Sequence, residues 1–293
     1  METPKDFIVA DAGSTKTTWF RVFPDGRRDF AVTPGINPVL QDDEAIRHTL
    51  EEALAHPVFG HRADTCIYYY GAGCLPDQCR HMEELIAGTT SCRHVEVKSD
   101  LWGAARALCG HQAGIACILG TGANSCRFNG TDITRHIAPL GYVLGDEGSG
   151  AALGKRLVAD ILKGLLPEDL RRDFHTTYGW DEADIIRKVY REPGANRFLA
   201  SFSPFLKAHA DHPAVQELLA ECFDAFFARN VAPYAPGTLP VHFTGSIAFH
   251  FRKAITQAAQ RRHLRVGHFV KDPIEGMVKY HEENLPSHPD KTF

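Results

Sequence analysis

Four short turns in this chain combine glycine with hydroxyl or amide side chains, and each follows an apolar run. They are Asp11-Ala12-Gly13-Ser14-Thr15-Lys16-Thr17, Gly71-Ala72-Gly73, Gly120-Thr121-Gly122-Ala123-Asn124 and Thr244-Gly245-Ser246. The first holds a glycine, three hydroxyls and a lysine, so it offers backbone N–H groups, O–H donors and a positive charge to a phosphate. Asp11 at its mouth suits Mg²⁺ held through water. Taken singly, each turn is also ordinary strand-ending chemistry. Asp100 is the other reactive candidate. It stands at the end of a short strand and the start of a helix, placed either to accept a proton from an attacking hydroxyl or to cap the helix with Ser99. Two other phosphate motifs are excluded. No GxxxxGK[ST] occurs, and Gly71-Ala72-Gly73 runs into Cys74-Leu75-Pro76, which spoils a dinucleotide fingerprint.

The elements that must position these turns follow from periodicity. Phe7 to Ala10, Thr18 to Val22 and Arg28 to Val32 read as strands. Asn37 lies in a loop shaped by Pro34, Gly35 and Pro38, ahead of a helix carrying Ala45, Ile46, Leu50 and Ala53. Strands at Cys66–Tyr70 and His94–Lys98 alternate with helices from Leu75 to Ile86 and after Asp100, giving an α/β domain that ends near residue 112. The order then restarts, with a strand at Gly114–Leu119, a glycine turn and a strand at Ser125–Phe128. Gly141 to Gly150 opens a helix towards Leu162, and a helical region continues to about Pro233. Its clearest segment carries Val215, Leu218, Leu219, Cys222, Phe223, Phe226 and Phe227, with Asp211 and Pro213 as start signals. A strand at Leu239–Phe243, a helix to about Arg261, a strand at Leu264–Val270 and a helix from Ile274 to about Asn284 complete the chain.

With 293 residues and 44% apolar content, the chain has the size and core of about two domains. These are 1–112 and 113–293, with a helical insertion at about 151–235, a shared cleft, and a last helix able to pack back on the first lobe. A net charge of −4 with scattered Lys and Arg argues against nucleic acid and for small-molecule partners. No apolar h-region or run of ~18 apolar residues appears, so the expected location is the cytoplasm, with no membrane partner. The eight cysteines stand singly, without a CxxC pair, and read as reduced, partly buried thiols.

The turns in this order resemble the superfamily of sugar kinases, heat-shock ATPases and actin, and within it the branch of BadF/BadG-type ATPases and N-acetylglucosamine kinase. Asp11 to Thr17 matches the first phosphate motif, Leu119 to Asn124 the second, and Thr244-Gly245-Ser246 the adenosine motif. Gly145-Asp146-Glu147-Gly148-Ser149 is the branch's most distinctive element. The resemblance implies an α/β fold, the two-lobed actin-like ATPase (ribonuclease H-like) architecture, with ATP and Mg²⁺ between the lobes. It assigns Asp100 as catalytic base and Asp11 as the Mg²⁺ carboxylate. Nucleotide contacts fall to Asp11, Gly13, Ser14, Thr15, Lys16, Thr121, Gly122, Gly245 and Ser246. Sugar contacts fall to Asn37, Gly71, Thr121, Asn124 and Asp146, with Asp146 alternatively capping the helix that follows. The implied reaction is phosphorylation of N-acetylglucosamine or N-acetylmuramic acid at O6 or another hydroxyl, and family members are often homodimers. Two alternatives share the branch: ATPase activators of 2-hydroxyacyl-CoA dehydratases, which hold an iron–sulfur cluster through cysteines, and non-catalytic nucleotide-binding regulators. The first typically carries Gly-Gly-Gln-Asp, which is missing here, and the second would be expected to lose Asp100 or the Gly13 turn.

Overall fold

The computed structural model describes residues 6–13, 16–60 and 65–284. The chain divides into two units, Met1–His111 with Pro273–Phe293, and Gln112–Asp272. Among the described residues no helix is long and apolar enough to cross a membrane.

The first unit opens with β1 (Phe7–Ala12), β2 (Lys16–Val22), β3 (Arg28–Pro34) and α1 (Asp43–Leu54), then continues with β4 (Cys66–Gly71), α2 (Pro76–Thr90), β5 (His94–Ser99) and α3 (Asp100–Cys109). Its sheet has the order β3-β2-β1-β4-β5. β1 is antiparallel to β2 and parallel to β4, which is parallel to β5. β1 is apolar along most of its length because both faces are covered. Ile8, Ala10 and Ala12 join a cluster with Trp19, Leu50 and Met82, whereas Phe7 and Val9 pack with Tyr70 and Met277. The edge strand β3 instead mixes exposed and buried positions. Parallel pairing brings the carboxyl ends of β1, β4 and β5 to one edge: Ala12 pairs with Gly71, Gly71 with Ser99, and Ala72 N donates to Ala12 O at 2.8 Å.

The second unit repeats this plan. It contains β6 (Gly114–Leu119), β7 (Ala123–Phe128), β8 (Ile133–His136), α4 (Gly141–Leu144), α5 (Gly150–Leu162), α6 (Glu168–Tyr178), α7 (Glu182–Tyr190) and α8 (Ala195–Ala200). After these come α9 (Ser203–Ala208), α10 (Pro213–Phe226), β9 (Val241–Thr244), α11 (Ser246–His250), α12 (Arg252–Arg261) and β10 (Val266–Val270). Sheet order β10-β9-β6-β7-β8 again joins an antiparallel meander to parallel strands. The predicted stripe is buried apart from the half-buried Cys222, and the cap of α10 is His212, whose Nδ1 accepts from Ala214 N at 3.1 Å, in place of Asp211.

Two elements differ from the sequence-based expectation. β8 was not anticipated, although Asn129-Gly130 ahead of it is a hairpin signal. Asn129 Oδ1 accepts from the N–H groups of Thr131 and Asp132 at 2.9 and 2.7 Å. The helix expected to run from Gly245-Ser246 to Arg261 breaks at Phe251 into α11 and α12. The last helix, α13 (Ile274–Asn284), lies in the first unit, the lobe it was expected to be able to pack on, whereas β10 just before it lies in the second. It crosses α3 through two glycines. A Cβ at Gly103 would lie 2.5 Å from Met277 Cε, and one at Gly276 would lie 2.6 Å from Ala107 O.

A polar clasp completes that packing. Arg106 Nη1 donates to Tyr70 Oη at 2.6 Å and to Glu96 Oε1 at 2.7 Å, while Tyr70 Oη bonds His281 Nε2 at 2.7 Å. Burial and the nearby Arg106 charge hold His281 down at about 3, so its stacked ring over Tyr68 stays neutral at pH 7. Arg106→Met removes both donated bonds, leaving the buried Tyr70 hydroxyl with His281 alone. It is expected to lower stability by about 1–3 kcal/mol, read as a shifted urea midpoint; an unshifted midpoint would show that the clasp contributes nothing.

Candidate active site

In the first unit the turn after β1 is closed by Gly13 N donating to Lys16 O at 2.9 Å. Lys16 is exposed, whereas Thr17 is buried and its hydroxyl has no partner among the described residues. Ser14 and Thr15 lie outside the described residues. Asp11 sits near the end of β1, between Thr18 of β2 and Tyr70 of β4.

The Asn37 loop is held by its own asparagine. Asn37 Oδ1 accepts from Val39 N at 3.0 Å, and its backbone N–H donates to Gln41 Oε1 at 2.7 Å. The loop abuts the turn after β4, where a Cβ at Gly73 would fall 2.3 Å from Asn37 Oδ1. Gly71 itself is buried, with Tyr69 and Cys74 each 2.6 Å from where its Cβ would be.

Asp100 is the first residue of α3. Ser99 occupies the cap position without a capping side-chain bond, and Asp100 Oδ1 accepts from Leu101 N at 2.8 Å. Two effects compete at this carboxyl. Desolvation raises its pKa, while its own N–H and that of Leu101 favour the ionised form. Desolvation wins, pushing Asp100 from 3.8 up to about 6.

In the second unit, the turn after β6 is tied to the start of α5. Gly150 N donates to Gly120 O at 2.8 Å and Ala151 N to Thr121 O at 3.0 Å, leaving the Thr121 side chain exposed. Asp146 reaches the same turn. Its Oδ1 accepts from Ala123 N at 3.2 Å, and a Cβ at Gly122 would lie 3.1 Å from its Oδ2. Helix α5 is capped by Ser149, whose Oγ accepts from Ala152 N at 3.1 Å. Asp146 therefore does not cap that helix, and burial lifts its carboxyl above the ordinary range.

The turn after β9 closes onto β6. Gly245 has φ 103°, and its Cβ position lies 2.4 Å from Leu119 O, so only glycine fits. Ser246 is exposed at the start of α11, and the buried Thr244 hydroxyl has no partner among the described residues. Within the second unit, the orphaned Thr244 hydroxyl and the glycine-only cradle beside it at a strand end suit part of a nucleotide. A carboxylate at Asp11 suits a Mg²⁺ ion held mostly by phosphate and water.

Thus Asp11, Gly13, the Asn37–Gly73 contact and Asp100 line one sheet edge of the first unit. Gly122, Asn124, Asp146 and Gly245 gather at the strand ends of the second. His136, on the unanticipated β8, was missed; it donates to Asn124 Oδ1 at 2.9 Å. A hollow of about 750 Å³ in the second unit is lined by residues such as Arg171, Arg172 and Trp180, none of them in the predicted set.

No family model matches the chain, and no curated protein does. Solved structures do. A candidate N-acetylglucosamine kinase from Porphyromonas gingivalis is 46% identical, with TM-score 0.89 over 95% of this chain and 99% of that one. A candidate N-acetylglucosamine kinase from Chromobacterium violaceum is 22% identical, with TM-score 0.71 over 95% and 99%. A ROK family glucokinase from Streptomyces griseus, solved with glucose and AMPPNP, is 16% identical, with TM-score 0.57 over 95% and 98%. The two-sheet architecture is that of the actin-like ATPases.

Proposed function

The chain belongs to the family of the Porphyromonas gingivalis candidate N-acetylglucosamine kinase, and from that premise we propose that it transfers the γ-phosphoryl group of ATP to an N-acetylated amino sugar. N-acetylglucosamine is the first choice and N-acetylmuramic acid the second, with O6 the favoured hydroxyl. Asp100 carries the proposal: a desolvated carboxyl at a strand end, raised to about 6, is half ionised near pH 6 and a competent base at pH 7.

In this mechanism Asp100 accepts the proton of the sugar hydroxyl as its oxygen bonds to the γ-phosphorus and the bond to the ADP oxygen breaks. Asn37, Asn124 and Asp146 hold the sugar. Gly13 to Lys16, Thr121 and Gly122 hold phosphate oxygens, and Gly245 with Ser246 holds the nucleoside. Mg²⁺, when bound near Asp11, neutralises phosphate charge. Positioning and charge neutralisation supply most of the acceleration.

Asn37 tests the acceptor assignment. Asn37→Ala is expected to raise KM for N-acetylglucosamine about tenfold with kcat nearly unchanged. Asn37→Asp keeps an acceptor for Val39 N and so controls for collapse of the loop. Sugar kinetics unchanged in both variants would place the acceptor elsewhere.

A further inference from the structure

Asn124 has an amide whose orientation is decided by two donors. The backbone N–H of Ser125 lies 2.9 Å from Oδ1 and can only donate, so the oxygen, not the nitrogen, occupies that position. His136 Nε2 lies 2.9 Å from the same oxygen and must therefore carry its hydrogen. His136 pairs with Cys126 across β7 and β8, which puts it on the face of the sheet that Asn124 shares. With Oδ1 claimed twice, Asn124 Nδ2 makes no hydrogen bond among the described residues. Beside it, Asp146 is bound through one oxygen to Ala123 N, the preceding residue. An amide donor on Asn124 and a carboxylate tied to the N–H of the residue before it suit a group that both accepts and donates, as a sugar hydroxyl does.

We propose that His136 is a positioning residue: its Nε2–H locks the Asn124 amide so that Nδ2 is presented to an oxygen of the acceptor sugar. This rests on the sugar-kinase function proposed above. Partial desolvation lowers the imidazole pKa from its ordinary 6.5, which favours the neutral ring with its hydrogen on Nε2. Without His136, Oδ1 keeps only the Ser125 N–H, so the amide is held less firmly and sugar binding suffers while the phosphoryl-transfer groups stay in place.

The test is steady-state kinetics with N-acetylglucosamine and ATP on four forms of the full chain: wild type, His136→Ala, Asn124→Ala and the double variant. His136→Ala is expected to raise KM for the sugar about three- to tenfold, with kcat and KM for ATP within twofold. The double variant should match Asn124→Ala, because the two side chains act through one contact. His136→Gln, which retains an N–H donor, should recover part of the loss and serves in its place if the alanine variant folds poorly. An unchanged sugar KM in His136→Ala and His136→Gln, or fully additive effects in the double variant, would overturn the positioning role. Wild-type protein without any sugar-dependent turnover would instead defeat the kinase function, and the inference with it.

Discussion

Asp100→Asn is expected to lower kcat for N-acetylglucosamine phosphorylation at least ~10²-fold while ATP affinity stays nearly intact. Asparagine preserves the shape of the side chain and the bond from Leu101 N, but it cannot accept the hydroxyl proton. The wild-type pH profile should show the same group. Because Asp100 must be ionised to act and its carboxyl is raised to about 6, kcat/KM should climb with pH through about 6 and level off above it. Stability gives an independent check with a definite sign. A carboxyl raised from 3.8 to about 6 by burial contributes stability below about pH 4 that is lost as pH rises through about 6. Asp100→Asn lacks that loss, so at pH 8 it should melt no lower than wild type. Near-normal turnover in the variant would remove Asp100 as the base.

Gly245→Ala should produce the second large effect. Replacing glycine by alanine ordinarily stabilises by about 0.4–1 kcal/mol through the unfolded chain. Here two penalties oppose that gain. A φ of 103° lies where L residues are strained, at about 1–3 kcal/mol, and the new Cβ would stand 2.4 Å from Leu119 O, where backbone must move. The net expectation is a loss of about 2–5 kcal/mol, together with a raised KM for ATP as the turn leaves β6. Thermal melting with ATP kinetics measures both, and a variant with wild-type values in each would show that the turn tolerates a side chain and holds no nucleoside. Ser246→Ala, whose side chain is exposed, should leave stability unchanged.

Much of this arrangement is legible in the chain itself. Apolar runs ending in glycine and hydroxyl residues mark β1, β4, β6 and β9, because buried parallel strands need apolar faces and their ends need turn chemistry. The helix starting at Asp100 is visible for the same reason. What could not be read is long-range. β8 offers a single apolar residue, Ile133, on a mostly exposed edge, so only Asn129-Gly130 betrays it, and His136 is hidden with it. The side-chain bond of Asp146 spans 23 residues, and its backbone takes a positive φ of 56°, which aspartate tolerates but no local pattern announces. The helical pattern of α13 is plain, yet the glycine crossing that assigns it to α3 joins Gly103 to Met277, a contact that no local pattern encodes.

Sugar-dependent ADP release tests the proposed activity most directly. A coupled assay with ATP and Mg²⁺ over N-acetylglucosamine, N-acetylmuramic acid, glucosamine, N-acetylmannosamine and glucose should give turnover far above the sugar-free rate with one of the first two. ATP hydrolysis indifferent to all five sugars, with a chromophoric cluster in anaerobic preparations, would contradict a sugar kinase and favour an activator ATPase.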